Sequence, residues 1–332
     1  MRGRTWTAMA LAAVIATSFG EHAEGQGLPP LAHARLTHVA LATEDADKTV
    51  ARLAAILGIV PPSAHTNSLE APGGGTIALK VAFLDTANCR IEVDQPLGPG
   101  PTRDFLNRFG PGIQHVGFSI DEPLDSRVRS MERLGGRLVA GSATGRYAFL
   151  DFMATLGVTI ELVRDMPGEA AGTAPGPTSL ASHALSHIGF VYRDAQPKAD
   201  ALARLLGLTA PALNVFTSID YLLGTKAAPG SHVKYVMLPV PNVSVEVIEP
   251  VGAPSPWADF IDGRKDGAAA HHLAFGFGPL DDFDGAVRAL HAQGGVWKKG
   301  RRGFEGTSTG SSPEFEFLDT LGIVIEVTRS AR

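Results

Sequence analysis

The sequence has one cysteine, Cys89, so no disulfide can form within the chain and a thiolate-rich structural zinc site is excluded. It has no Lys/Arg run long enough to suggest nucleic-acid binding, and its net charge is only −5. Beyond the N-terminal leader, no stretch is long and apolar enough to cross a membrane. These absences argue against three broad classes: the disulfide scaffold, the nucleic-acid binder and the protein that spans a membrane with helices. What is present is an ordinary globular composition, 44% apolar and 19% charged, over 332 residues, enough for about two domains. The 38 glycines and 23 prolines imply many turns and favour short strands over long helices.

The leader reads MRGRTWTAMALAAVIATSFGEHAEGQG. Arg2 and Arg4 precede an apolar stretch over 6–16, and small residues follow from Ala16 to Gly25. This is the layout of a secretory signal peptide over residues 1–25, without a twin-Arg pair or a cysteine for lipid attachment. The expectation is export to the periplasm or beyond the cell, or a cytoplasmic location if the leader is not a signal.

The rest of the chain repeats itself. Landmarks between Leu36 and Asp165 recur in the same order between Leu185 and Thr328. Between them, MPGEAAGTAPGPTSLAS (166–182) reads as a flexible linker. Each half divides again into a strand, a helix and two or three further strands. Helical faces are predicted from Val50, Leu53, Ala54 and Leu57 before Gly58, and from Leu124, Val128, Met131 and Leu134 before Gly135. Two more come from Leu202, Leu205 and Leu206 before Gly207, and from Phe283, Val287 and Leu290 before Gly294. Alternating runs follow each helix: TIALKVAFL (76–84), RYAFLDF (146–152), VKYVMLPV (233–240) and PEFEFLD (313–319). The chain is thus expected to be α+β, built from four βαβββ modules. They span about 36–96, 112–165, 185–250 and 270–329, grouped as a first domain over 33–165 and a second over 183–329.

Each module opens on a strand carrying a histidine: LTHVALA (36–42), IQHVGFSI (113–120), LSHIGFV (185–191) and AHHLAFGF (270–277). Side chains alternate between the faces of a strand. Positions +1 and +3 from each histidine are bulky and apolar, so that face packs on the helix. The histidine shares the other face with a small residue at +2, namely Ala40, Gly117, Gly189 or Ala274, which leaves room beside the imidazole. By alternation, Gln114 and His271, one residue before two of the histidines, are expected on the opposite face. The last strand of each module places a glutamate between branched aliphatics: Ile91-Glu92-Val93, Ile160-Glu161-Leu162, Val245-Glu246-Val247 and Ile325-Glu326-Val327. A carboxylate on a half-buried face is costly unless paired or bound to a metal. One such residue is ordinary; eight in strict His…Glu order are not. Two histidines and two glutamates per half make a four-ligand site for a divalent cation, with Zn, Ni, Co, Mn and Fe(II) all admissible. Up to two ions per chain are expected. His33, His65, His183, His232 and His291 lack this frame, and the basic run Trp297–Arg302 reads as a solvated turn or a contact for an anionic substrate group.

On these residues the chain resembles the vicinal oxygen chelate superfamily, which includes glyoxalase I, methylmalonyl-CoA epimerase, extradiol dioxygenases and bleomycin-resistance proteins. The resemblance covers about residues 33–329 and implies two open barrels, each formed by a pair of modules around a metal. It implies the ligand sets His38, Glu92, His115, Glu161 and His187, Glu246, His272, Glu326. Residues 91–118 and 245–277 are most similar to the join between modules in the methylmalonyl-CoA epimerase type, although epimerases have one pair of modules and this chain has two. The activity implied is α-proton transfer on a small carbonyl or thioester compound through an enolate or enediolate, with Glu161 and Glu326 as general bases. The reaction would be that of an epimerase, an isomerase or a glyoxalase-type lyase. One alternative is an Fe(II) extradiol dioxygenase using His187, His272 and Glu326; another is a non-catalytic small-molecule binder. The expected partner is a small-molecule substrate, with no nucleic acid and no membrane insertion after signal removal, in a monomer or homodimer.

Overall fold

The computed structural model describes residues 28–142, 145–164, 179–216, 232–252, 255–264, 269–299 and 312–329. The proposed signal peptide, most of the linker and the second half of the basic run, 300–302, lie outside them.

The first half comprises β1 (Leu36–Ala42), α1 (Ala46–Leu57), β2 (His65–Glu70), β3 (Thr76–Asp85), β4 (Arg90–Pro96), α2 (Pro101–Phe109) and β5 (Gly112–Ile120). It continues with α3 (Leu124–Arg133), β6 (Arg137–Gly141), β7 (Tyr147–Asp151), α4 (Met153–Leu156) and β8 (Thr159–Arg164). The second half repeats this order. Its elements are β9 (Ala184–Val191), α5 (Gln196–Leu206), β10 (Asn214–Phe216), β11 (His232–Leu238), β12 (Ser244–Val251) and α6 (Pro256–Gly263). Then come β13 (Ala270–Phe277), α7 (Phe283–Ala292), β14 (Val296–Lys299), β15 (Glu314–Phe317), α8 (Leu318–Leu321) and β16 (Ile323–Arg329). Short 3-10 turns, Leu31–His33 and Leu180–Ser182, precede the two halves.

The strands form two eight-stranded sheets of matching order, β2-β3-β4-β1-β5-β8-β7-β6 and β10-β11-β12-β9-β13-β16-β15-β14. Within each module the first strand pairs in parallel with the last, across the helix crossover. The two modules of a half join through their first strands, antiparallel. The expected four βαβββ modules are therefore present. In the first half the sheet curls until its edges approach: Leu69 of β2 and Ala140 of β6 share one apolar cluster, and the Glu70 amide donates to Tyr147 Oη at 3.4 Å.

Local chemistry fixes the helix ends. Asp45 caps α1 by accepting from the Lys48 amide at 3.1 Å, and Gly58 closes it at φ +71°, a conformation that other residues adopt only with strain. Leu134 departs from the expected face: α3 ends at Arg133, and Leu134, beyond it, is exposed. The strand residues expected to face the helices do so. Val39, Leu41, Val116, Phe118, Ile188, Phe190, Leu273 and Phe275 are all buried in one apolar core, with the aliphatic pairs that flank the four glutamates. Each such side chain stabilises the fold by about 1.5–3 kcal/mol. The core runs unbroken through both halves. The opposite sheet faces are left for the histidines and glutamates.

Candidate metal centre

The register brings each half's four candidate ligands together. β1 lies between β4 and β5, so His38 stands near both Glu92 and His115; β8 on the far side of β5 adds Glu161. In the first cluster His38 Nε2 is 3.1 Å from Glu92 Oε2, 2.7 Å from Glu161 Oε2 and 3.1 Å from His115 Nε2. His115 Nε2 is 3.5 Å from Glu92 Oε2 and 3.4 Å from Glu161 Oε2. In the second cluster His187 Nε2 is 3.4 and 3.5 Å from Glu246 and Glu326, and His272 Nε2 is 3.2 and 3.3 Å from the same two. The paired imidazoles stand alike in both: ring centres 5.2 Å apart, planes at 88° and 86°.

These spacings fit a common ion. Ligand atoms about 2.1 Å from one cation stand about 3.4 Å apart in a tetrahedron and about 3.0 Å in an octahedron. The second cluster adds a sign of its own, since Nε2 of His187 and of His272 are buried and make no hydrogen bond among the described residues. Buried polar atoms without partners are rare. Two of them aimed between two carboxylates suit a cation.

The room for these rings comes from the neighbouring strand. Position +2 was expected to make space for the histidine of its own strand. Instead, Gly117 lies opposite His38 and Gly189 opposite His272, and a β-carbon at either glycine would run into that ring. Ala40 faces His115 and Ala274 faces His187, so each pair of modules uses one glycine and one alanine.

A second correction concerns the residue before each histidine. The pairing of β1 with β5 skips Thr37 and Gln114, and that of β9 with β13 skips Ser186 and His271. All four are β-bulges, where the extra residue breaks the alternation of faces. Gln114 and His271 are therefore not turned away. Each of the four bulged side chains meets Nδ1 of the histidine that follows: Thr37 Oγ1 at 2.9 Å, Gln114 Oε1 at 2.6 Å, Ser186 Oγ at 3.1 Å and His271 Nδ1 at 3.0 Å. A His115 that donates from Nδ1 to Gln114 Oε1 presents a lone pair at Nε2, the tautomer a metal ligand needs.

The sequence reading also missed Asp94. It is buried, two residues after Glu92, and its Oδ2 is 3.8 Å from His115 Nδ1. Burial, reinforced by Glu92, pushes its carboxyl well above the usual range. The matching residue after Glu246 is Ile248, so the two centres differ here. They differ also in their walls. Phe83 and Phe149 lie opposite Glu92 and Glu161, with the Phe149 ring edge-on to His115 at 5.0 Å. Met237 and Glu314 take those places in the second cluster.

Opposite charges favour one another inside each cluster. Burial opposes protonation of His115, but Glu161 and Glu92 outweigh it and raise its pKa to about 10. His187 is likewise raised to about 10 against its burial, by Glu246 and Glu326. Burial would raise Glu161, yet His38 and His115 bring it down to about 2, and Glu246 falls well below the usual range through His187 and His272. Without a cation, imidazolium supplies the positive charge that a metal would otherwise bring.

A family model described as the Glyoxalase/Bleomycin resistance protein/Dioxygenase superfamily matches residues 37–169 and again 186–310. The chain belongs to that superfamily. It is the vicinal oxygen chelate group that the motifs resemble, in a tandem arrangement. Among solved structures, a mutant 4-hydroxymandelate synthase from Streptomyces coelicolor is similar over 92% of this chain and 94% of its own, at 16% identity and a TM-score of 0.62. That likeness extends to the whole two-half fold. Methylmalonyl-CoA epimerase from Mycobacterium tuberculosis is 28% identical over 40% of this chain and 89% of its own, with a TM-score of 0.32. A hypothetical protein from Bacillus halodurans is 22% identical over 41% and 96%, with a TM-score of 0.31. No curated protein sequence matches the chain.

Proposed function

We propose that this member of the superfamily is a divalent-metal-dependent enzyme that moves the α-proton of a small carbonyl or thioester compound, as an epimerase, isomerase or glyoxalase-type lyase. The observation that carries the proposal is the complete two-His, two-Glu set in both halves, with His–Glu donor spacings of 2.7–3.5 Å. His38, Glu92, His115 and Glu161 would hold one cation, and His187, Glu246, His272 and Glu326 the other. A bound cation supplies Lewis acidity, without which a proton beside a carbonyl is too weakly acidic for a carboxylate to remove.

The chain's own groups do the rest. The bulged residues keep each Nε2 turned inward, and at the first centre Phe83 and Phe149 restrict water. Glu161 and Glu326 serve as general bases, each accepting a proton at its carboxylate and returning it to the substrate carbon. Should residues 1–25 direct export, the substrate is a free carbonyl compound rather than an acyl-CoA, which an exported enzyme would seldom meet.

A ring-cleaving dioxygenase site of the two-His, one-carboxylate kind would leave one glutamate of each cluster without a role. The deciding experiment combines elemental analysis with α-proton exchange into deuterated water, on the wild type and on Glu161→Gln, Glu326→Gln and the double variant. Up to two ions per chain and loss of exchange in the double variant are expected. Unchanged exchange in the double variant, or oxygen uptake with a catechol, would overturn the reading.

A further inference from the structure

The two halves are joined by a reciprocal pair of asparagines that has no part in either cluster. Asn88 lies in the turn between β3 and β4; Asn242 occupies the equivalent turn between β11 and β12. The Asn242 side chain accepts from the Leu36 amide at 3.0 Å and donates to the Leu36 carbonyl at 2.8 Å. Asn88 does the same for Leu185, accepting from its amide at 2.8 Å and donating to its carbonyl at 2.9 Å. Each amide also reaches the other turn: Asn88 Nδ2 donates to the Asn242 carbonyl at 2.5 Å, and Asn242 Nδ2 to the Asn88 carbonyl at 2.8 Å. A primary amide can match a residue's N–H and C=O together, as a paired strand would. Here the side chain of one half is paired with the backbone of the other.

The residues clamped are informative. Leu36 and Leu185 are buried, and each stands two positions before the first candidate ligand of its half, His38 or His187. Only the bulged Thr37 or Ser186 intervenes, and its hydroxyl meets Nδ1 of that histidine. A shift of the clamped peptide therefore moves the bulge, and the bulge turns the imidazole. Other contacts follow the same crossed pattern. The Ala269 amide, ahead of β13, donates to the Gly157 carbonyl at 3.1 Å. Gly322 packs so closely on Pro111, ahead of β5, that a β-carbon there would strike it.

We propose that Asn88 and Asn242 are positioning residues acting across the boundary between the halves, so that each metal centre depends on an amide from the half that does not contain it. This rests on the metal reading above, and the test separates the two. The probes are Co(II) titration, and amide hydrogen exchange on the metal-free full chain. Each is run on Asn88→Ala and Asn242→Ala, with Co(II) affinity measured in backgrounds retaining one centre: His187→Ala/His272→Ala, or His38→Ala/His115→Ala.

Asn242→Ala is expected to speed exchange across β1 and not β9, and to weaken Co(II) at the first centre roughly tenfold or more, the scale for groups that orient ligands. Asn88→Ala should do the reverse. Asn242→Asp keeps the acceptor for the Leu36 amide but sets a carboxylate oxygen against the Leu36 and Asn88 carbonyls; it should act on the same strand and centre as Asn242→Ala, and it carries the same crossed test if the alanine variant does not fold. Equal weakening of both centres, no weakening of either, or exchange that does not cross would each overturn the proposal. If the wild type takes up no Co(II), the metal reading fails, while crossed exchange still establishes that the asparagines set the ligand strands.

Discussion

The imidazole of His38 lies directly over Gly117, its partner on the neighbouring antiparallel strand, and the second half repeats this with His272 over Gly189. Each glycine is therefore tied to one ring of one centre. Gly117→Ala should expel His38 from its cluster and lower the metal content by one ion per chain. Gly189→Ala should do so at the other centre, and the double variant should bind none. Elemental analysis of the three proteins checks this; an unchanged metal content in Gly117→Ala would show that the ring does not need the space.

The bulged residues give a second prediction. Removing the acceptor beside His115 frees its ring to take the other tautomer. Gln114→Ala and His271→Ala should each weaken metal binding at their own centre about 10–100-fold while the fold survives. Calorimetric titration in single-centre backgrounds, beside far-ultraviolet circular dichroism, separates lost affinity from lost structure.

Stability of the metal-free protein should depend on pH in a defined way. The folded pKa values of His115 and His187, about 10, exceed the ordinary 6.5. Their stabilisation is complete below about 6.5 and is lost as pH climbs through about 10. Glu161 works in the other direction: its pKa of about 2 is below the ordinary 4.5, so its contribution holds above that value and disappears as pH falls through about 2. A chelated sample should therefore show a melting temperature that declines from neutral pH toward pH 10. Metal binding displaces the imidazole protons, so affinity should rise over the same interval. Melting curves with chelator and with added metal test both statements.

The shared core predicts that damage in one half is felt in both. Leu53 and Phe275 are fully buried in the same cluster, one in each half. Leu53→Ala should cost about 2–5 kcal/mol and Phe275→Ala about 3–5 kcal/mol. Each should shift one common unfolding transition, followed by denaturant titration. Separate transitions for the two halves would show that the core is not cooperative.

The sequence by itself determined the repeat, the module order and the eight residues that meet in two clusters. It could do so because strand alternation and helix periodicity are local. An apolar pair on either side of Glu92 or Glu161 leaves the carboxylate one face to occupy, and Val39 and Leu41 do the same for His38. What it could not carry was anything set by register between strands far apart in the chain. Alternation failed at Gln114 and His271, because a bulge is created by the pairing of two strands and not by either one. The room at Gly117 went to His38, 79 positions away, for the same reason. Asp94 escaped notice because its position beside His115 depends on how β4 and β5 flank β1. The asparagine clamp was invisible for the plainest cause: hydrogen bonds such as that between Asn242 and Leu36 exist only once two separately folded turns and strands have been brought together.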